Sequence, residues 1–219
     1  MLEKMTPCPS SAERKARIEE DKELRLQIKA DQDAERYKWF LDQSGIDLRQ
    51  RDKDFMVLKQ KQKWLTAYQK TCQITSEGSI AILLLNRGTG KTQCAVEIIK
   101  NICRTFKKCL YLRAREINNI MLDMQGDNKR EKAVARFVKP YLLVIDEFQD
   151  KFDTDFAYKN MNLITDKRHA NYKPTIFIAN LTVKQIRDVL GPAIVDRVRE
   201  QGGIIIFDWE SFRAKGAKP

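Results

Sequence analysis

Between Ser79 and Phe207 the chain alternates short unbroken apolar runs with longer stretches in which apolar residues recur every three or four positions. The first kind predicts strands buried on both faces, the second predicts helices covering them. Strands are expected at Ser79–Leu85, Lys108–Arg113, Tyr141–Asp146, Thr175–Ala179 and Gly203–Phe207. Helices are expected behind Lys91 (carrying Ala95, Ile98, Ile99 and Ile102), at Glu116–Met124, Asp127–Val138, Thr154–Ala170, Val183–Leu190 and Ala193–Glu200. Such alternation implies an α/β fold with a parallel five-stranded sheet flanked by helices, and ligands then bind beyond the strands' carboxyl ends.

The N-terminal part has another texture. Residues 11–41 are densely charged and free of Gly and Pro, with Ile18, Leu24, Leu26, Ile28, Tyr37, Trp39, Phe40 and Leu41 as the apolar minority. They read as a helix that buries little of itself, suited to docking on a partner or to remaining a solvated arm. Gln43-Ser44-Gly45 ends it, a second helix is expected over Asp54–Thr71, and Ser76-Glu77-Gly78 turns the chain into the first strand. The division is therefore an arm at 1–53 and a main domain at 54–219.

Charge changes the picture. Lys and Arg number 41 against 30 Asp and Glu, a formal net charge of +11 over 219 residues. Most of the excess falls after residue 70, on the main domain, which favours a polyanionic partner. The five cysteines (Cys8, Cys72, Cys94, Cys103 and Cys109) form no C-x-x-C pair, and His169 is the sole histidine, which argues against a zinc site and for reduced thiols in a cytoplasm. No stretch has the apolar length of a membrane span, so no membrane partner is expected.

The chemistry lies at strand ends. LLLNRGTGKT (Leu83–Thr92) runs a strand into a phosphate-binding loop, Asn86, Arg87, Gly88, Thr89, Gly90, Lys91 and Thr92, whose N–H groups suit ATP phosphates. Lys91 is placed for the β and γ phosphates and the Thr92 hydroxyl for Mg²⁺. The strict motif wants glycine at 85 and finds Leu85; Asn86, tolerant of positive φ, is expected to absorb part of the difference. YLLVIDEFQD then ends a strand in Asp146, a second Mg²⁺ ligand, and Glu147, which polarises the attacking water. TIFIAN delivers Asn180, an amide able to orient the same water.

These motifs, together with LGPAIVDRVRE (Leu190–Glu200), FDWESFR (Phe207–Arg213) and the upstream SGID element (Ser44–Asp47), resemble the AAA+ P-loop ATPases that load replicative helicases, the DnaC and DnaI type, related to IstB-like transposition ATPases. The resemblance spans roughly residues 35–215 and would suit a phage version acting in the cytoplasm of a bacterium or an infected host. It implies roles for Lys91 and Thr92 as Walker A, Asp146 and Glu147 as Walker B, and Asn180 as sensor 1. It also implies an arginine finger at Arg197, with Arg199 as the alternative, and sensor 2 at Arg213. It further implies a nucleotide-dependent oligomer, a replicative hexameric helicase held by the arm, and single-stranded DNA met by Arg115, Lys129, Arg130 and Phe156. Two other readings are an IstB-like helper that binds duplex DNA and a non-hydrolysing helicase adaptor.

Overall fold

The computed structural model describes residues 11–53, 61–124, 126–148 and 155–212. Five strands, β1 (Ile80–Leu85), β2 (Cys109–Arg113), β3 (Leu142–Asp146), β4 (Thr175–Ile178) and β5 (Gly203–Phe207), form one sheet in the order β2-β3-β4-β1-β5. Every pairing is parallel. β3 and β4 are buried at each residue and β1 at all but Leu85, which is why these segments read as continuous apolar runs rather than alternating ones.

The helices are α1 (Ser11–Asp42), α2 (Leu48–Arg51), α3 (Gln62–Ser76), α4 (Lys91–Cys103), α5 (Ala114–Asp123), α6 (Asp127–Val138), α7 (Asp155–His169) and α8 (Val183–Gln201). One departs from expectation. The helix expected over Asp54–Thr71 runs to Ser76, with the Thr71 and Thr75 hydroxyls bonded back to the Ala67 and Thr71 carbonyls; residues 54–60 lie outside the described residues. The pair expected around residues 183–200 holds: α8 is two helical stretches that meet at a kink, where Gly191 (φ 78) is non-helical in front of Pro192.

The chain divides into two compact units, 1–39 and 40–219. In the first, α1 is solvent-exposed along nearly all its length, and Ile18, Leu24, Leu26 and Ile28 lie open, with ion pairs Lys22–Glu19 and Arg25–Asp21 along its surface. In the second, the SGID element covers the free edge of β2: the Tyr111 N–H donates to the Ser44 carbonyl at 2.7 Å, and Leu41, Ser44 and Ile46 are buried. Gly45 is required there, with φ 78 and the Tyr111 carbonyl oxygen 2.6 Å from where a Cβ would sit. An edge strand so covered offers less of its ladder to another chain.

The amino ends of β3 and β4 are fastened by one side chain. Arg168, wholly buried near the end of α7, donates to the carbonyls of Phe137, Pro140, Tyr141 and Pro174 and to the Thr175 hydroxyl, at 2.6–3.0 Å. Cys94, Cys103 and Cys109 are buried free thiols.

Candidate nucleotide-binding site

The sheet order assembles the site. β4 lies between β1 and β3, so the residues just past it fall between the loop after β1 and the carboxylates after β3. Asn180 is accordingly held by Lys91, whose Nζ donates to its Oδ1 at 3.0 Å. Asp146 accepts the Thr92 hydroxyl at 2.8 Å. Five of the residues picked out by sequence, Lys91, Thr92, Asp146, Glu147 and Asn180, thus meet at the strands' carboxyl ends.

From β1 the chain turns through Asn86, Arg87, Gly88, Thr89 and Gly90 into α4. Gly88 (φ 75) and Gly90 (φ 88) take the left-handed conformations the turn needs, and Gly90 caps the helix. The third left-handed residue is Leu85 itself, at φ 78, and not Asn86 as expected. Leucine therefore occupies the missing glycine's position in a glycine's conformation, at a cost of about 1–3 kcal/mol. The surroundings enforce it: the Leu85 N–H donates to the Leu181 carbonyl at 3.1 Å, its own carbonyl accepts Lys91 Nζ at 2.9 Å, and its side chain packs against the core.

The loop's carbonyls are tied down from outside. The Trp64 indole donates to Gly90 at 3.2 Å, the Trp209 indole to Thr89 at 3.1 Å, and the Phe212 N–H to Gly88 at 2.9 Å. Lys91 is buried, with Nζ on the carbonyls of Leu85 and Asn86 as well as on Asn180. Burial drives its pKa down to about 8, Asp146 pulling the other way and Arg87 adding to the fall.

On the acidic side, buried Asp146 receives Thr92 and the Tyr111 hydroxyl (2.7 Å) on one oxygen and the Glu147 N–H (2.7 Å) on the other. Burial raises the Tyr111 pKa, and the Asp146 charge raises it further, so the phenol stays a donor. Glu147 stands at φ 55, and its carboxylate meets Arg113 Nε at 3.3 Å; Arg113 also reaches Asp47 at 3.6 Å. A hydroxyl and a carboxylate 2.8 Å apart, both oxygen donors beside a phosphate loop, fit the ligand preference of Mg²⁺.

Other predicted residues lie apart. Arg197 is bound to α7 through Asp166 at 2.8 Å and to the Ala193 carbonyl, while Arg199 is exposed and pairs with Asp196 on its own helix. Arg115, Lys129 and Arg130 are exposed, Arg130 with a bond to Asn160; Phe156 is half-buried against the core, which leaves less of its ring for stacking. Arg213 lies outside the described residues. Sequence reasoning missed Tyr111, Arg113, Trp64 and Trp209. Arg113 closes β2 level with Asp146 in the ladder, a juxtaposition that only the strand order reveals.

A phosphate loop after β1, carboxylates after β3 and an amide after the intervening β4 define an α/β P-loop protein of the AAA+ fold. A family model described as "IstB-like ATP binding protein" matches residues 23–218, and the chain belongs to that family. It is 27% identical over 158 residues to the "Replicative helicase loader DnaC" of Escherichia coli (strain K12), a match that spans 69% of this chain and 64% of the relative. Among solved structures it resembles "Crystal structure of the DnaC helicase loader" (TM-score 0.57, 19% identity, 73% of this chain and 99% of that one). It also resembles "Replication initiator DnaA bound to AMPPCP and single-stranded DNA" (TM-score 0.57, 14% identity, 67% of this chain and 46% of that one). The expected five-stranded AAA+ architecture and the likeness to DnaC-type proteins both hold. Among the described residues no helix is long and apolar enough to cross a membrane.

Proposed function

We propose that the chain is an ATP-dependent loader of a hexameric replicative helicase. The observation that carries the reading is the convergence of Lys91, Thr92, Asp146, Glu147 and Asn180 at one end of the sheet, in a chain similar to a DnaC loader. In this reading Thr92 and Asp146 hold Mg²⁺, which offsets phosphate charge when bound. Lys91 swings from the loop carbonyls to the phosphates, Asn180 orients the attacking water, and Glu147 takes its proton. Arg197, turned from Asp166, serves a neighbouring subunit's nucleotide, which makes hydrolysis depend on assembly. Phe212 is anchored on Gly88 in the residue before Arg213, and this supports a sensor role for Arg213 in its own subunit.

The exposed apolar side chains of α1 support the arm as the helicase-binding element, and the +11 charge supports contact with single-stranded DNA. The test is capture of a purified hexameric helicase by the full chain and by a chain lacking residues 1–39. The account expects capture only by the former; equal capture by both removes the arm from the interface. The family match favours one other reading, a transposition helper on duplex DNA. Tighter binding to duplex than to single strands would select it.

A further inference from the structure

We infer that the segment after β5, Asp208–Phe212, is a clamp that gives the phosphate loop its binding shape, with Trp209 as a positioning residue for nucleotide. The inference rests on the reading of the loop as an ATP site. In a trans peptide the carbonyl of one residue and the N–H of the next point in opposite directions. Fixing the carbonyls of Gly88, Thr89 and Gly90 from outside therefore turns the N–H groups of Thr89, Gly90 and Lys91 the other way, toward the phosphates. Three groups do the fixing: the Phe212 N–H, the Trp209 indole and the Trp64 indole. Two of the three come from the closing segment, which also receives a weak bond from the Asn86 amide to the Trp209 carbonyl at 3.5 Å.

The same segment bears on Leu85. Phe207, the last residue of β5, pairs with Leu85 in the ladder, and its ring packs on that of Trp209 with centroids 4.8 Å apart. With leucine at the glycine position, the loop has one residue held against its own preference and an external frame holding it. A frame of this kind contributes more here than in a loop whose glycines adopt the turn without strain. Trp209 is half-buried and stands 120 residues from Thr89, so its indole bond is a tertiary device rather than a local turn feature.

The test is Trp209→Phe in the full chain, which keeps an aromatic ring against Phe207 and deletes the indole N–H together with part of the ring. Calorimetric titration with MgATP, steady-state hydrolysis and melting of the nucleotide-free protein are compared with wild type. Loss of one N–H-to-carbonyl bond predicts about fivefold to tenfold weaker binding. KM rises by the same factor, kcat changes by less than about twofold, and nucleotide-free melting stays within about 2 °C. Trp39→Phe on the arm leaves the affinity unchanged. Wild-type affinity in Trp209→Phe overturns the clamp and leaves the nucleotide reading intact. A fall in melting temperature and kcat at unchanged KM also overturns it, by making Trp209 ordinary scaffold. Absence of MgATP binding by the wild type removes the reading beneath it.

Discussion

The two ends of the sheet each bury a cation, and the backbone around it differs. At the amino ends Arg168 is enclosed by four carbonyls and a hydroxyl that use its whole guanidinium, and Lys173 adds bonds to the Val138 and Lys139 carbonyls. At the carboxyl ends Lys91 is buried against two carbonyls and one amide, beside two left-handed non-glycine residues, Leu85 and Glu147; burial lowers the pKa of both cations. The first arrangement is satisfied and static. The second uses all three ammonium donors too, but it is strained at two left-handed residues, the condition expected at a functional site.

Breaking the amino end has the largest effect on folding. Arg168→Met leaves at least four carbonyls without their donor, costing about 3 kcal/mol or more. For a chain of this size that lowers the melting temperature by about 6–12 °C, measured by calorimetry. MgATP affinity of the folded fraction is expected to stay close to wild type.

Breaking the other end reverses the pattern. Lys91→Ala is expected to cut MgATP binding and hydrolysis by at least about a hundredfold. Nucleotide-free melting falls by less than in Arg168→Met, because fewer acceptors lose their donor while a desolvated charge is removed. A melting temperature that fell as far as in Arg168→Met would erase the contrast.

The depressed pKa sharpens it further. The unfolded chain holds this proton to about pH 10.5, whereas the folded, nucleotide-free chain releases it near pH 8. Between those values the unfolded state binds more protons, so the Lys91 contribution to stability rises with pH. MgATP affinity falls through the same window as the ammonium is lost. Titrations and melts at pH 7 and 9, repeated on Lys91→Met, are expected to show both trends in wild type and neither in the variant.

The smallest effect is expected at Leu85. Leu85→Gly relieves left-handed strain but loses half-buried packing and adds chain entropy, so its stability stays within about 1 kcal/mol of wild type. MgATP affinity changes by less than about threefold if the clamp, rather than residue 85, sets the loop. A gain of tenfold or more in Leu85→Gly would assign the control to leucine.

What the sequence made legible follows the same division. β1, β3 and β4 are visible because both faces are buried, which forces unbroken apolar runs such as LLVI before Asp146. Lys91, Thr92, Asp146, Glu147 and Asn180 are visible because each closes or follows such a run. Arg168 was not, since a charged residue near a helix end looks the same whether solvated or enclosed by distant carbonyls. The bonds from Trp209 to Thr89 and from Arg113 to Glu147 were not either, because they depend on which strands become neighbours. Arg197 shows the limit from another side: its pattern fits a finger, and only packing of α8 on α7 reveals that Asp166 already holds it.

The central claim is that the carboxyl end of the sheet binds and hydrolyses ATP, with Glu147 taking the proton of the attacking water. It is tested most directly by measuring MgATP binding and steady-state hydrolysis together, in wild type and Glu147→Gln, with single-stranded DNA present. The account predicts comparable binding in the two proteins and hydrolysis at least about a hundredfold slower in the variant. Hydrolysis at the wild-type rate in Glu147→Gln, or a wild type that binds no MgATP, would contradict it.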